Sequence, residues 1–442
     1  MRKCILSCMM LFTVALFSQA GHIMQGVGAV NMSMGGAATA QPLDISGALH
    51  WNPAAISVFD ENTLKFDLGL FFSSPELRST VPEFDSNGQP TGNFFSGVTE
   101  DDRGVSPLPA LAMVWSKENS RHTFGASAFG ISGFGVTFPE SATNPINLPQ
   151  SSGGFGRIES NYILLQVGFA YAYELSDNFS IGVQPNFNYA TLELMPNPTA
   201  NPTQAGYPST DKKASAFGIG AQVGLFYDSG SGFKAGTSYK TTQHFSDFEF
   251  DNTYLDNTTA TNSFNMDYPA IFSLGVGYSL GTIDMALDYR LVDYENTDGF
   301  STTGWSPTAS VTGFGWENIN IISAGIQYKG IQKLPLRIGY TYSSNPINSD
   351  VAFFNIPATA IIKNAFQLGL SYESSANLGF DAVFHYGSSG DATSGPVLNP
   401  QFISDSPPYG AIPGSEVAYD MTTSMFMVGV HYTFKRSTQN NQ

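Results

Sequence analysis

The residues able to do chemistry are few and scattered. Six histidines, at 22, 50, 122, 244, 385 and 431, stand alone. None has the His-x-x-x-His or His-Glu partner that a metal site uses. Both cysteines, Cys4 and Cys8, fall in an apolar N-terminal stretch, so thiolate ligands, disulfides and cysteine nucleophiles are excluded from the chain beyond it. No Gly-x-Ser-x-Gly elbow and no phosphate-binding glycine loop occurs. The acidic 251–257 stretch lacks the spacing of a Ca²⁺ loop. One charged group is tempting: Asp284, Asp288 and Arg290 share a parity in one strand-like segment, with Asp381 a further candidate. Polar side chains lining a wet lumen account for them, and touching a ligand head group suits them better than proton transfer. The sequence therefore predicts no catalytic residue, no metal and no cofactor.

The elements that would hold such residues are strands. Fourteen candidate strands run through residues 62–434, with short turns (117–120, 175–178, 228–232, 280–281, 330–333, 373–377) alternating with long polar loops. Residues 64–72 put Leu64, Phe66, Leu68, Leu70 and Phe72 on one face and Lys65, Asp67 and Gly69 on the other; residues 283–291 and 378–386 repeat the pattern. The apolar faces carry no charge, and tyrosines such as Tyr239, Tyr278, Tyr328 and Tyr432 end them, where an amphipathic ring suits a membrane interface. Charged residues make up only 12% of the chain and aromatics 13%. No uninterrupted apolar run of the roughly 20 residues a membrane helix needs follows residue 20. These features predict an all-β chain, a transmembrane 14-stranded antiparallel up-and-down barrel over 62–434, placed in the outer membrane of a Gram-negative bacterium.

Residues 1–20 read as a cleaved signal peptide: Arg2 and Lys3, an apolar core, then Ser18-Gln-Ala20. The net charge of −17 argues against a nucleic-acid partner. Residues 435–442 form a polar tail after the alternating Phe426–Phe434 segment. Residues 21–61 do not alternate, yet Met24, Val27, Met32, Met34, Ile45, Leu49, Trp51 and Ile56 are too apolar for a solvated leader. Small residues interleaved with apolar ones predict a compact plug inside the bore.

Met34-Gly35-Gly36-Ala37 followed by Asn52-Pro53-Ala54, just ahead of the first strand, resembles the FadL/TodX-type outer-membrane transporters of long-chain fatty acids and hydrophobic compounds. Supporting blocks are Pro109-Ala-Leu-Ala, Phe124–Phe138, Val167–Tyr173 with Phe179–Gly182, and Lys234–Lys240. The resemblance covers the chain beyond the leader. It implies a monomeric 14-stranded barrel with an N-terminal hatch in which Gly35, Gly36, Asn52, Pro53 and Ala54 serve gating. It also implies ligand capture at outer loops, an internal pocket, and lateral release at a kinked third strand. The matching stretch holds Gly130, Gly133, Gly135 and Pro139, residue types expected where a strand bends or loses pairing. The connections at 193–213 and 247–264, corresponding to the family's third and fourth outer loops, are polar and show no apolar groove.

The functional expectation is passive uptake of a hydrophobic small molecule, a long-chain fatty acid foremost. The candidate pocket and lumen residues are Met24, Met32, Met34, Trp51, Phe71, Asp284, Asp288 and Arg290. Expected partners are the ligand, outer-membrane lipid and lipopolysaccharide, and the barrel-assembly machinery during insertion. A general diffusion porin, a surface receptor or adhesin, and a lipid hydrolase are the alternatives; the last lacks a nucleophile paired with a histidine.

Overall fold

The computed structural model describes residues 21–434 apart from 88, 117–119 and 404–407. The expected signal peptide, the polar tail and most of the turn at 117–120 lie outside the described residues. Alternation of outward apolar and inward polar side chains closes into one ring of fourteen strands. They are β1 (Thr63–Phe84), β2 (Ser106–Ser116), β3 (His122–Phe138), β4 (Ile158–Ser176), β5 (Phe179–Met195), β6 (Ala214–Asp228) and β7 (Phe233–Lys240). The ring continues with β8 (Ala270–Leu280), β9 (Ile283–Asp293), β10 (Ile319–Tyr328), β11 (Leu336–Ser343), β12 (Asn364–Glu373), β13 (Leu378–Ser388) and β14 (Glu416–Thr433). Each strand pairs antiparallel with the next, and β14 returns to β1 from Thr63↔Thr433 to Thr80↔Glu416. The fourteen-strand reading is borne out.

Closure removes the unpaired edge that lipid cannot hydrate. In β9, Ile283, Met285, Leu287, Tyr289 and Leu291 face outward, while Asp284, Ala286, Asp288, Arg290 and Val292 are buried inside. Tyr278, Tyr328, Tyr372 and Tyr432 are exposed near the short-turn end, as an interfacial girdle requires. At the opposite end the long connections fold together. The outer half of β1 pairs with a return arm, Pro90–Glu100, and buried aromatics from several loops make one apolar cluster.

The lumen is filled by the N-terminal segment, which is buried from residue 21 to residue 56 except at Leu43, which is half-buried. It forms two short helices, α1 (Ala29–Ser33) and α2 (Ile45–Trp51), then a tight turn of helix at Pro53–Val58. Asp44 caps α2 by accepting from the Gly47 N–H at 3.1 Å. Gly36 has φ 79°, and a Cβ there would lie 1.8 Å from the Gln25 carbonyl oxygen, so the turn after α1 closes only with glycine. The wall yields room as well: a Cβ at Gly224 would meet Asn52 Oδ1 at 2.0 Å.

Candidate functional site

Two sets of wall residues hold the plug. In β9, Asp288 accepts from the Ala38 and Thr39 N–H groups at 2.9 Å each and from the Thr39 hydroxyl at 2.7 Å. Arg290 donates to Asp288 at 2.7 Å and to the Gly36 carbonyl at 2.8 Å, with its guanidinium 3.6 Å from the Trp51 ring centre. In β1, Asp67 accepts from Ala29 N–H at 2.9 Å, and Lys65 pairs with Asp44 of the plug at 3.0 Å and with Asp381 of β13 at 2.7 Å. Asn52 donates to the Thr39 carbonyl (2.8 Å) and to the Leu225 carbonyl on β6 (3.0 Å). Charged groups this deeply buried are tolerable only when paired and hydrogen-bonded. Together they place the middle of the plug at fixed positions on the wall.

The wall itself is incomplete between β2 and β3. These strands pair from Ser116↔Thr123 to Ala110↔Phe129 and no further. Beyond that point β2 pairs only with β1 and β3 only with β4. Pro107 and Pro109 of β2 have no N–H to donate there. On the other side the β3–β4 register shifts between Gly130 and Ser132, leaving Ile131 as a bulge. The free edge of β3 is met by the plug instead. Met24 N–H donates to the Ile131 carbonyl at 3.0 Å, and Gly133 N–H and the Ser132 hydroxyl donate to the His22 carbonyl at 3.1 and 2.9 Å.

Behind this gap lies an apolar cavity of about 130 Å³, lined by Met24, Phe71, Leu108, Gly130, Gly133, Phe134, Gly135, Tyr162 and others. Arg103 spans its rim, donating to the Ser160 carbonyl at 2.8 Å and to Asn161 Oδ1 at 3.2 Å. Gly135 makes that crossing possible, since a Cβ there would lie 1.7 Å from an Arg103 nitrogen. A second, smaller apolar groove of about 50 Å³ sits among the long loops, between Phe155, Pro198, Tyr207, Trp305, Phe353 and Phe354.

A family model described as outer membrane protein transport protein (OMPP1/FadL/TodX) matches residues 12–435. The chain belongs to this family. FadL/TodX membership makes it an outer-membrane β-barrel transport protein. Solved structures agree on the fold. The Pseudomonas putida toluene transporter TodX is 16% identical with a TM-score of 0.65, covering 93% of this chain and 100% of its own. A Pseudomonas aeruginosa FadL homologue is 15% identical with a TM-score of 0.70, over 94% and 100%. The Ralstonia pickettii toluene transporter TbuX is 16% identical with a TM-score of 0.63, over 93% and 99%. No curated protein sequence matches.

Set on the FadL/TodX scaffold, the residues singled out from sequence fall into separate places. Met24, Phe71, Gly130, Gly133 and Gly135 meet at the cavity; Pro139 follows the end of β3 and is half-buried. Met32 packs with Met24 against Phe71 and Leu108, whereas Met34 packs against Ala37 and Ala286. Gly35 lies against β10 and β11, where Thr341 donates to its carbonyl at 2.8 Å, whereas Gly36 turns against Gln25 and offers its carbonyl to Arg290 of β9. Trp51, Asn52, Pro53 and Ala54 pack against the glycine-lined wall of β5 and β6. Asp288 and Arg290 hold the plug, and Asp284 bonds Gln327 and Lys329 at 2.7 and 2.9 Å; none of the three lines the cavity. Sequence reasoning missed Arg103, the Lys65–Asp44 pair, and the rings around His22. It also missed the loop groove, because Pro198 and Tyr207 look isolated within 193–213 until Trp305, Phe353 and Phe354 pack beside them. A Pro-x-Pro at 107–109 inside a strand pattern was the available signal for the unpaired edge.

Proposed function

We propose that this transport protein carries hydrophobic or amphipathic small molecules, long-chain fatty acids foremost, across the outer membrane without energy coupling. The ligand is caught in the loop groove between Tyr207 and Phe354. It passes to the cavity beside Phe71 and Met24 and leaves sideways into lipid between β2 and β3. The plug acts as a hatch whose 21–25 stretch shifts to admit it, with the chain working as a monomer. The observation that carries the reading is the coincidence of an apolar cavity with a stretch of wall that neither β2 nor β3 closes. Burial of an acyl chain supplies the drive, at about 0.8 kcal/mol per CH₂. The plug's filling of the lumen supports a dry route over an aqueous porin, and the toluene cargo of TodX and TbuX supports hydrophobic substrates generally.

A Cβ at Gly130 has open space, its nearest neighbour being Leu108 Cδ2 at 3.8 Å. Gly130→Phe is therefore expected to fill the gap while leaving the barrel intact. Uptake of labelled oleate and of toluene by a deletion strain carrying the variant should fall about tenfold or more, with heat-modifiable gel migration unchanged. Unimpaired uptake of both probes in a correctly folded Gly130→Phe protein would defeat lateral release. Large, steady conductance in planar bilayers would instead favour a porin.

A further inference from the structure

The last two residues of α2, His50 and Trp51, are sealed inside the barrel with side-chain hydrogen-bonding groups unused. Their rings lie 4.2 Å apart, His50 also meets Phe129 of β3 at 6.1 Å, and the Arg290 guanidinium covers the indole face at 3.6 Å. Both His50 ring nitrogens and Trp51 Nε1 are fully buried and have no partner among the described residues. Lys240 of β7 reaches the same place. It is 1% exposed, and its ammonium donates to Gln166 Oε1 at 3.2 Å. Gln166 stands directly opposite Phe129 in the β3–β4 ladder. On β6, Gln222 stands opposite Lys240 and donates to the Trp51 carbonyl at 2.9 Å.

Charge sets this cluster apart from the plug's other anchors. Lys65 has Asp44 and Asp381, and Arg290 has Asp288, but among the described residues no carboxylate pairs with Lys240. The charge that acts on Lys240 is the like charge of Arg290, and both cations act on His50. Two cations against one carboxylate leave a net positive charge where little water can solvate it. Hydrogen-bond capacity points the same way. An ammonium offers three donors and Lys240 uses one; the indole offers one and uses none. Burial, reinforced by Lys240 and Arg290, holds the His50 imidazole well below its ordinary value, so it is neutral and offers one N–H more. The cluster has donors and positive charge in excess.

We propose that Lys240, His50 and Trp51 form an internal binding site for a small monovalent anion of the halide class. The anion neutralises Lys240 and seats the end of α2 on the wall. Neither the cavity behind the wall gap nor the loop groove includes any of the three residues, so the site is independent of the transport reading above. A halide suits the edges of an indole and an imidazole, because it is weakly hydrated and accepts hydrogen bonds from any direction. Sulfate would bring two negative charges where one is needed.

The test crystallises full-length protein with sodium bromide and locates the ion by its anomalous scattering. A peak is expected within hydrogen-bonding reach of Lys240 Nζ and of His50 or Trp51 Nε1. In detergent solution, bromide replacing gluconate at constant ionic strength should raise Tm by about 2 °C or more. Lys240→Met keeps much of the side chain's length, removes the charge, and should lose both the peak and the shift. His50→Phe keeps the ring packing and should weaken bromide about threefold to tenfold, which keeps the idea testable if Lys240→Met does not fold. A native bromide crystal with no peak at this cluster, or equal Tm in bromide and gluconate, would overturn it. So would a peak that persists in Lys240→Met, or unchanged bromide affinity in His50→Phe. Displacement of bromide by equimolar decanoate but not by acetate would also overturn it, by giving the cluster to an amphiphile's head group.

Discussion

The plug has two parts that meet the wall by different means. From Ala29 to Asn52 it is fixed by buried, charge-assisted contacts: Asp67 on Ala29, Asp288 on Ala38 and Thr39, Arg290 on Gly36, and Lys65 on Asp44. From His22 to Met24 it is held by three neutral hydrogen bonds to β3 and by rings around one imidazole. Contacts of the first kind are costly to break, because any release strands an ion in a poorly solvated lumen. Contacts of the second kind strand no ion when released, so they cost less to exchange. The difference teaches that the proposed hatch motion is cheapest in the first few residues and most costly for the plug as a body.

The comparison breaks most visibly at Asp288. Asp288→Ala would leave Arg290 buried without its carboxylate and two plug N–H groups unpaired, a loss of about 3–5 kcal/mol. Thermal unfolding followed by circular dichroism should show a large drop in Tm and protease entry into residues 29–52; an unmoved midpoint would mean the anchors do not matter. A smaller effect separates the two parts by acid. Burial holds the His22 imidazole at about 3, well below its ordinary value, and the rings around it carry no charge. The seated, neutral form is therefore favoured at high pH, and seating weakens as pH falls from about 6.5 towards 3. Between pH 7.5 and 5.5 the hydrogen-exchange protection of residues 22–24 should fall about tenfold, while that of residues 36–39, which carry no titratable side chain and are held by Asp288 and Arg290, stays level. Equal loss in both segments would erase the distinction. The mildest change is Ser132→Ala, which removes one hydrogen bond to the His22 carbonyl and should cost about 1 kcal/mol. Exchange at Ile23 and Met24 should rise severalfold with Tm unmoved; a lowered Tm would show that the edge contact also braces the barrel.

Much of the fold was legible because lipid imposes a period of two on every strand. Leu64 to Phe72 and Ile283 to Leu291 announce their outward faces one residue at a time, and short turns such as 280–281 sort the two ends. Met24, Phe71 and the glycines of β3 were also found, since apolar and conformationally free residues stand out in sequence. The roles of Asp288 and Arg290 were not legible. Both are polar residues on a lumen face, and only long-range register decides whether a ligand, water or the plug meets them. His22 looked like an isolated histidine for the same reason: Tyr162, Tyr268, Tyr294, Phe300 and Trp316 come from four separate stretches of chain, and no local pattern joins them.

The contact between Asp288 and Ala38 spans 250 residues of chain, and that between Arg290 and Gly36 spans 254. The bore's occupant is synthesised first, and although β1 can engage it early through Asp67 and Lys65, these two locks wait for the ninth strand. Apolar plug surface that waits for such distant partners is exposed to misassociation until they arrive. Contacts this far apart in sequence form slowly, so the plug's last fastening is set by the length of chain between its locks.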